Sequence, residues 1–242
     1  MPLMVVGCAV VALASAALTL LFFLSPRSAV WMLRLKSLQG DPAAQTDLGY
    51  RYQTGTGGVH TNIAKAVQLY LSASKHGYPP ALAKVGGLYL EGLGVPQDDQ
   101  EAVRYFRRAA EAGDPCAEHE LGFCYSQGRG VEQSYVEAFK WNQRAAEHGD
   151  AHGKVALAIC YVVGKGVGTN YAVGHGLLEE AASAGDARAE LLLGSLYEHG
   201  RGVRTNWAEA LKYYEAAIAG GDTNASSAKA KLIRKMGRQV EP

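Results

Sequence analysis

The sequence predicts an all-α chain: a right-handed α/α superhelical solenoid of five two-helix repeats, preceded by one transmembrane helix. Three observations carry this reading. Tyr52, Tyr89, Tyr125, Tyr161 and Tyr197 recur at intervals of 37, 36, 36 and 36 residues, a period that belongs to stacked helical pairs. Each is followed three residues on by a glycine (Gly55, Gly92, Gly128, Gly164, Gly200) and then by a loop valine at Val59, Val95, Val131, Val167 and Val203. From Leu3 to Leu24 no residue is charged, and such a run, about 33 Å long as a helix, crosses a bilayer core.

Residues 1–26 read as an uncleaved signal anchor, with the membrane engaged through residues 3–24. The alternative is a cleaved signal peptide, which makes the mature chain secreted or periplasmic. Against cleavage stand the missing charged n-region and the absence of a clean small-x-small site. Val5-Val6-Gly7-Cys8 resembles a lipobox, but neither a charged nor an apolar region precedes it. Arg27, Arg34 and Lys36 follow the span, and the positive-inside rule then places the rest in the cytoplasm.

Residues 27–40 read as a lone capping helix, since Gly40-Asp41-Pro42 matches Gly113-Asp114-Pro115 at the end of a repeat. Within residues 41–222 each repeat divides in two. The first helix carries Ala, Leu-Gly and Tyr on one face, as in Ala117, Leu121, Gly122 and Tyr125. A mid-helix glycine costs about 1 kcal/mol relative to alanine. Its recurrence at Gly49, Gly86, Gly122 and Gly194 implies a contact too close for a side chain. Gly128 is the expected left-handed stop.

The second helix begins at Asn62, Asp98, Ser134, Asn170 or Asn206, all strong N-cap types. Glu101, Glu137 and Glu209 stand three residues later, as in a capping box. The sets Ala102-Tyr105-Ala109, Ala138-Trp141-Ala145 and Ala210-Tyr213-Ala217 share one face, so the aromatic is expected to fill the wedge between repeats. The fourth repeat departs, with Gly153, Ala158, Gly174 and Leu177 in place of Ala, Gly, Ala and an aromatic. It is expected to pack loosest. Residues 223–242 read as a C-terminal capping helix and tail, with Lys229 where the repeats carry leucine.

The pattern Ala-x-x-x-Leu-Gly-x-x-Tyr-x-x-Gly-x-Gly-Val, then Asn/Asp, Ala, aromatic, Ala-Ala and Gly-Asp, resembles the Sel-one-like repeat (SLR) family, a subclass of tetratricopeptide-type solenoids. The resemblance covers about residues 41–222. It implies an adaptor or scaffold that binds other proteins, and no reaction.

Composition narrows the classes further. Among 242 residues, 24 basic and 23 acidic side chains give a net charge of +1, while 48% of residues are hydrophobic. This is an ordinary globular balance without the broad basic face of a nucleic-acid binder. Cys8, Cys116, Cys124 and Cys160 contain no Cys-x-x-Cys pair, so neither a disulfide framework nor a structural zinc is expected. His148 and His152 have a metal-like spacing, but Gly149-Asp150 puts a turn between them. The Gly-x-Gly loops follow helices and lack a third glycine in register, so they are helix–helix turns rather than dinucleotide fingerprints. Asn224-Ala225-Ser226 fits a glycosylation acceptor. The basic run from Lys229 to Arg238 reads as a solvated cap. No serine or cysteine nucleophile stands at a recognisable spacing from a base. No cofactor, metal, nucleic acid or small-molecule substrate is expected.

The expected partner is a protein or peptide, taken as an extended peptide or helix in a concave groove. By analogy with tetratricopeptide repeats the first helices line that groove. Its candidate residues are Tyr50, Gln53, Leu90, His119, Phe123, His152, Ile159, Arg188, Ser195 and Glu198. An alternative packs Val155, Ile159 and Leu191 into neighbouring repeats. A regulatory or glycan- and peptidoglycan-binding role in the cell envelope is the other functional reading, for which Phe123 and Tyr50 with only Glu198 are sparse support.

Overall fold

Twelve helices and no strand make up the described residues, 26–238 of the computed structural model. The predicted span at residues 3–24 lies outside them. Among the described residues no helix is long and apolar enough to cross a membrane. The helices are α1 (Pro26–Leu38), α2 (Pro42–Thr54), α3 (Ile63–Lys75), α4 (Pro79–Glu91), α5 (Asp99–Glu111), α6 (Pro115–Gln127), α7 (Tyr135–Glu147), α8 (Ala151–Val163), α9 (Tyr171–Ser183), α10 (Ala187–His199), α11 (Trp207–Ala219) and α12 (Ala225–Arg238). They are the ten repeat helices and two caps that the periodicity predicts.

The loops repeat because their backbone chemistry repeats. Each first helix of a repeat stops at a left-handed glycine, Gly55, Gly92, Gly128, Gly164 or Gly200, whose N–H returns to a carbonyl four residues back. Each second helix opens on the predicted cap, whose side-chain oxygen accepts from the first turn.

The capping box, however, does not form. The N–H groups of Asn62, Asp98, Ser134, Asn170 and Asn206 donate instead to the carbonyls of Tyr52, Tyr89, Tyr125, Tyr161 and Tyr197, at 2.7–2.9 Å. With that donor taken, Glu101, Glu137 and Glu209 turn outward to Arg104, Lys140 and Lys212. The recurrent tyrosines thus close each repeat through their backbone. Their rings lie half-buried, several against another aromatic: Tyr89 on Tyr105, Tyr161 on Phe139 and Tyr197 on Tyr213, with centroids 5.4–5.7 Å apart.

The predicted wedge moves by one residue. Tyr105, Trp141 and Tyr213 are only half-buried. The side chains driven into the first helix stand one position later: Tyr70 at that place in the first repeat, Phe106 after Tyr105 and Tyr214 after Tyr213, all essentially inaccessible to solvent. A methyl group on Gly49, Gly86 or Gly194 would stand 2.8, 2.7 or 2.5 Å from those three rings. That is why the Leu-Gly pair recurs. The fourth repeat inverts the sizes, with Ala158 opposite the smaller Leu178. Both belong to a buried cluster with Val155, Ala189, Leu193 and Leu196. The repeat expected to be loosest is therefore compensated: a larger residue on one helix meets a smaller one on the next.

The chain divides into two compact units, residues up to 109 and from 110 onward. In the first, α1–α2, α2–α3 and α3–α4 pack in sequence. The amide of Gln45 donates to the Ser37 carbonyl at 3.2 Å, seating the N-terminal cap. Its core gathers Ala66, Val67, Tyr70, Val85 and Leu88. In the second, consecutive helices from α6 to α12 pack on one another, and α6 also meets α8. The C-terminal cap keeps two apolar positions of the repeat, Ala225 and Leu232, both fully buried, with Leu232 against Ala210 and Tyr214. Lys229 pairs with Glu215 at 2.7 Å, and Lys235 lies over the Trp207 ring at 5.3 Å. The basic run is thus pinned onto the last repeat as well as solvated.

Candidate functional site

In the first unit the expected groove residues separate. Tyr50 is exposed, with the Lys84 ammonium 5.6 Å from its ring centre. Gln53 is occupied internally, accepting the Tyr70 hydroxyl at 2.9 Å. Leu90 is 7% exposed and belongs to the packing beneath the surface. Glu198 in the second unit has the same role as Gln53: it accepts the Tyr214 hydroxyl at 2.7 Å, with Lys235 at 3.7 Å from its other oxygen.

These residues occupy one repeat position. Gln53, Leu90, Ser126, Val162 and Glu198 run in register with Tyr70, Phe106, Asn142, Leu178 and Tyr214. Where the second helix offers a hydroxyl, the first supplies an acceptor; where it offers Phe or Leu, the first supplies an apolar partner. Burial raises the Tyr70 and Tyr214 hydroxyls well above the ordinary tyrosine range, and the Glu198 carboxylate raises Tyr214 further. Both remain neutral donors.

Asn142 breaks the series. It is smaller than the rings and polar, and it is 5% exposed. A cavity of about 260 Å³ opens beside it, bounded by α6, α7 and α8. Four of the expected residues meet there: His119 and Phe123 from α6, Ile159 from α8 and Arg188 from α10. Phe123 is 39% exposed, an aromatic face turned to solvent. His152 stands nearby, its ring centre 6.0 Å from that of His119. Ser195 lies in a separate, smaller cleft of about 120 Å³, which shares Ile159 with the larger one. Of the alternative packing set, Val155 is core, and Ile159 packs on the core while also lining both openings.

The cavity also holds residues that the sequence reading did not select: Asn142, Tyr135 and Lys165. Lys165 is placed by the loop after α8. Gly166 has φ +77° and rests on the backbone of Tyr135, where a methyl group would not fit. This sets the Lys165 ammonium 4.6 Å from the Tyr135 ring centre. The available signal was the 36-residue alignment, in which Asn142 is the one polar side chain among four large apolar or aromatic ones.

Electrostatics follow from burial. His119 is held below the usual histidine range, chiefly by desolvation; Asp150 opposes this, His152 and Arg188 reinforce it, and the Asn142 amide opposes it. Burial pushes the Cys160 thiol up, which favours its protonated form in the cavity wall. The Asn142 amide N–H faces that sulfur at 3.9 Å. His148 points elsewhere: with Arg144 it holds the fully buried Glu118 carboxylate, at 2.7 and 2.9 Å respectively. Among the described residues no group of three or more His, Cys, Asp or Glu side chains converges as a metal site. The arrangement is suited to binding: an apolar floor, buried polar atoms and cations at the rim.

A fold of paired helices with this internal register defines a class of α/α repeat protein. The Sel1 repeat model matches residues 42–78, 79–114, 117–150, 151–186 and 187–222, and the chain belongs to the Sel1 repeat family. Among solved structures it is similar to a Sel1 repeat protein from Oxalobacter formigenes, with 32% identity and TM-score 0.73, covering 80% of this chain and 77% of that one. It is also similar to c5321, a protective antigen of uropathogenic Escherichia coli with an SLR fold, at 31% identity and TM-score 0.67. That match covers 84% of this chain but only 44% of the antigen. Immunity protein Pa5087 from Pseudomonas aeruginosa shares the fold at 24% identity and TM-score 0.56, over 75% of this chain and 68% of that one. No curated protein matches the chain.

Proposed function

We propose that this protein is a membrane-tethered interaction scaffold that holds a peptide or partner helix against the first helices of its second unit. The observation that carries the reading is the cavity at Asn142. An internal ring is replaced there by a small polar residue, and an exposed aromatic, Phe123, stands at its edge. Such a residue beside a pocket is the usual form of a binding anchor. Membership of a repeat family supports a binding role, since stacked repeats offer extended surfaces. The uncharged run at residues 3–24 supports the tether.

Site-specific photo-cross-linking in the native cell tests this. A cross-linker at Phe123 or Ile159 is expected to trap one discrete partner. The same group at Lys140, exposed on α7, is expected to trap none of it. Equal labelling from Lys140, or no adduct from either cavity position, overturns the reading.

A further inference from the structure

We propose that the Asn142 cavity recognises a carboxylate carried on a hydrocarbon stem, as an acidic side chain or the C-terminus of an extended peptide. This rests on the scaffold reading above and names the chemistry of its partner. The first support is steric. Four of five repeats fill this place with Tyr70, Phe106, Leu178 or Tyr214, whereas Asn142 leaves about 260 Å³ open, enough for one side chain of a ligand. The second is charge. The lining includes Lys165 and Arg188 and no carboxylate. Lys165 is engaged with an aromatic face, and among the described residues no carboxylate of the cavity lining pairs with Arg188. The acid acting on His119 is Asp150, which lies outside the cavity lining and caps α8 with one carboxylate oxygen, accepting from the Gly153 N–H at 2.6 Å.

The third support is unmet hydrogen bonding. Asn142 Oδ1 and His119 Nδ1 are buried in the lining with no well-formed hydrogen bond beyond the contact between their own two side chains, and buried polar groups are rarely left so poorly satisfied. The floor contributed by Phe123, Ala156 and Ile159 is apolar. It favours an acid that brings methylenes with it over a bare inorganic anion. A cationic rim over an apolar floor is the complement of such a group.

The test uses the full chain immobilised in detergent and three pools of biotinylated decapeptides. One pool carries a single fixed Glu and an amidated C-terminus. A second has no acid but a free C-terminal carboxylate. The third has neither. Retention of the first pool or the second, but not the third, is expected, and which one is retained distinguishes side chain from terminus. Arg188→Gln and Lys165→Gln are each expected to lower retention roughly tenfold, the scale of one charge-assisted contact. Asn142→Phe restores the ring found at Phe106 and is expected to keep the fold while abolishing retention. If the neutral pool is retained equally and Asn142→Phe abolishes that too, the groove stands and the carboxylate inference falls. If no pool is retained, or Asn142→Phe retains peptide as well as wild type, the inference is overturned, and the cross-links at Phe123 judge the groove separately.

Discussion

Glu118 is fully buried, yet both its partners reach it from the surface: the Arg144 and His148 side chains are each 46% exposed. The two ends of this contact therefore fail differently. Arg144→Ala leaves an ionised group buried with a single partner and is expected to cost about 3 kcal/mol. Glu118→Gln removes the charge, keeps an acceptor for His148 and releases Arg144 to water, so about 1 kcal/mol is expected. Urea melts of both variants decide the order; equal losses would show that burial of the charge is not the controlling cost. His119 makes a pH-dependent contribution of the opposite kind. Its pKa is depressed in the folded chain, so on acidification the unfolded chain, with a histidine pKa of about 6.5, takes the proton first. Stability is fully present above about pH 6.5 and is lost as pH falls toward the folded value. Wild type is thus expected to lose stability relative to His119→Asn between pH 7 and pH 5; parallel curves would place His119 in a solvated setting.

At the scale of the element, a repeat is a pair of helices whose sizes are matched across one contact. Gly194 faces Tyr214, while the same contact in the preceding repeat is Ala158 with Leu178. Gly194→Ala alone is expected to destabilise by about 1–3 kcal/mol through overpacking, partly offset by better helix propensity. Combined with Tyr214→Leu, which copies the neighbouring repeat, it is expected to cost less than the sum of the single changes by about 0.5–3 kcal/mol. A double-mutant cycle in urea measures this, and strict additivity would break the size-matching account. The recurrent glycine was legible in the sequence because it defies helix propensity. Its partner was not, because Tyr105 and Phe106, or Tyr213 and Tyr214, are adjacent aromatics on one helix. A turn of about 100° decides which goes inward, and propensity is silent on that choice.

At the scale of the whole molecule the proposed tether rests on the uncharged run at residues 3–24. Native protein is expected in the membrane fraction, resistant to carbonate extraction, with its N-terminus at or near residue 1; a mature start near residue 30 would give a secreted or periplasmic chain instead. The order of the repeat helices was legible in the residues, since a 36-residue period with fixed glycines and N-caps marks where each helix starts and stops. Of the candidate site, His119, Phe123, Ile159 and Arg188 were chosen by analogy with tetratricopeptide repeats, and they line one cavity. Gln53, Leu90 and Glu198 lie on the predicted helices but serve the interior, because a helix of this width presents that position to its own partner. The sequence by itself determined the repeat and its boundaries, which follow from local backbone chemistry, and carried the pattern whose resemblance names the family. Only the tertiary structure decided where the packing is left unfilled. A gap depends on the sizes of side chains from several helices at once, and the gap at Asn142 arises where four of five repeats place an apolar or aromatic plug and the third does not.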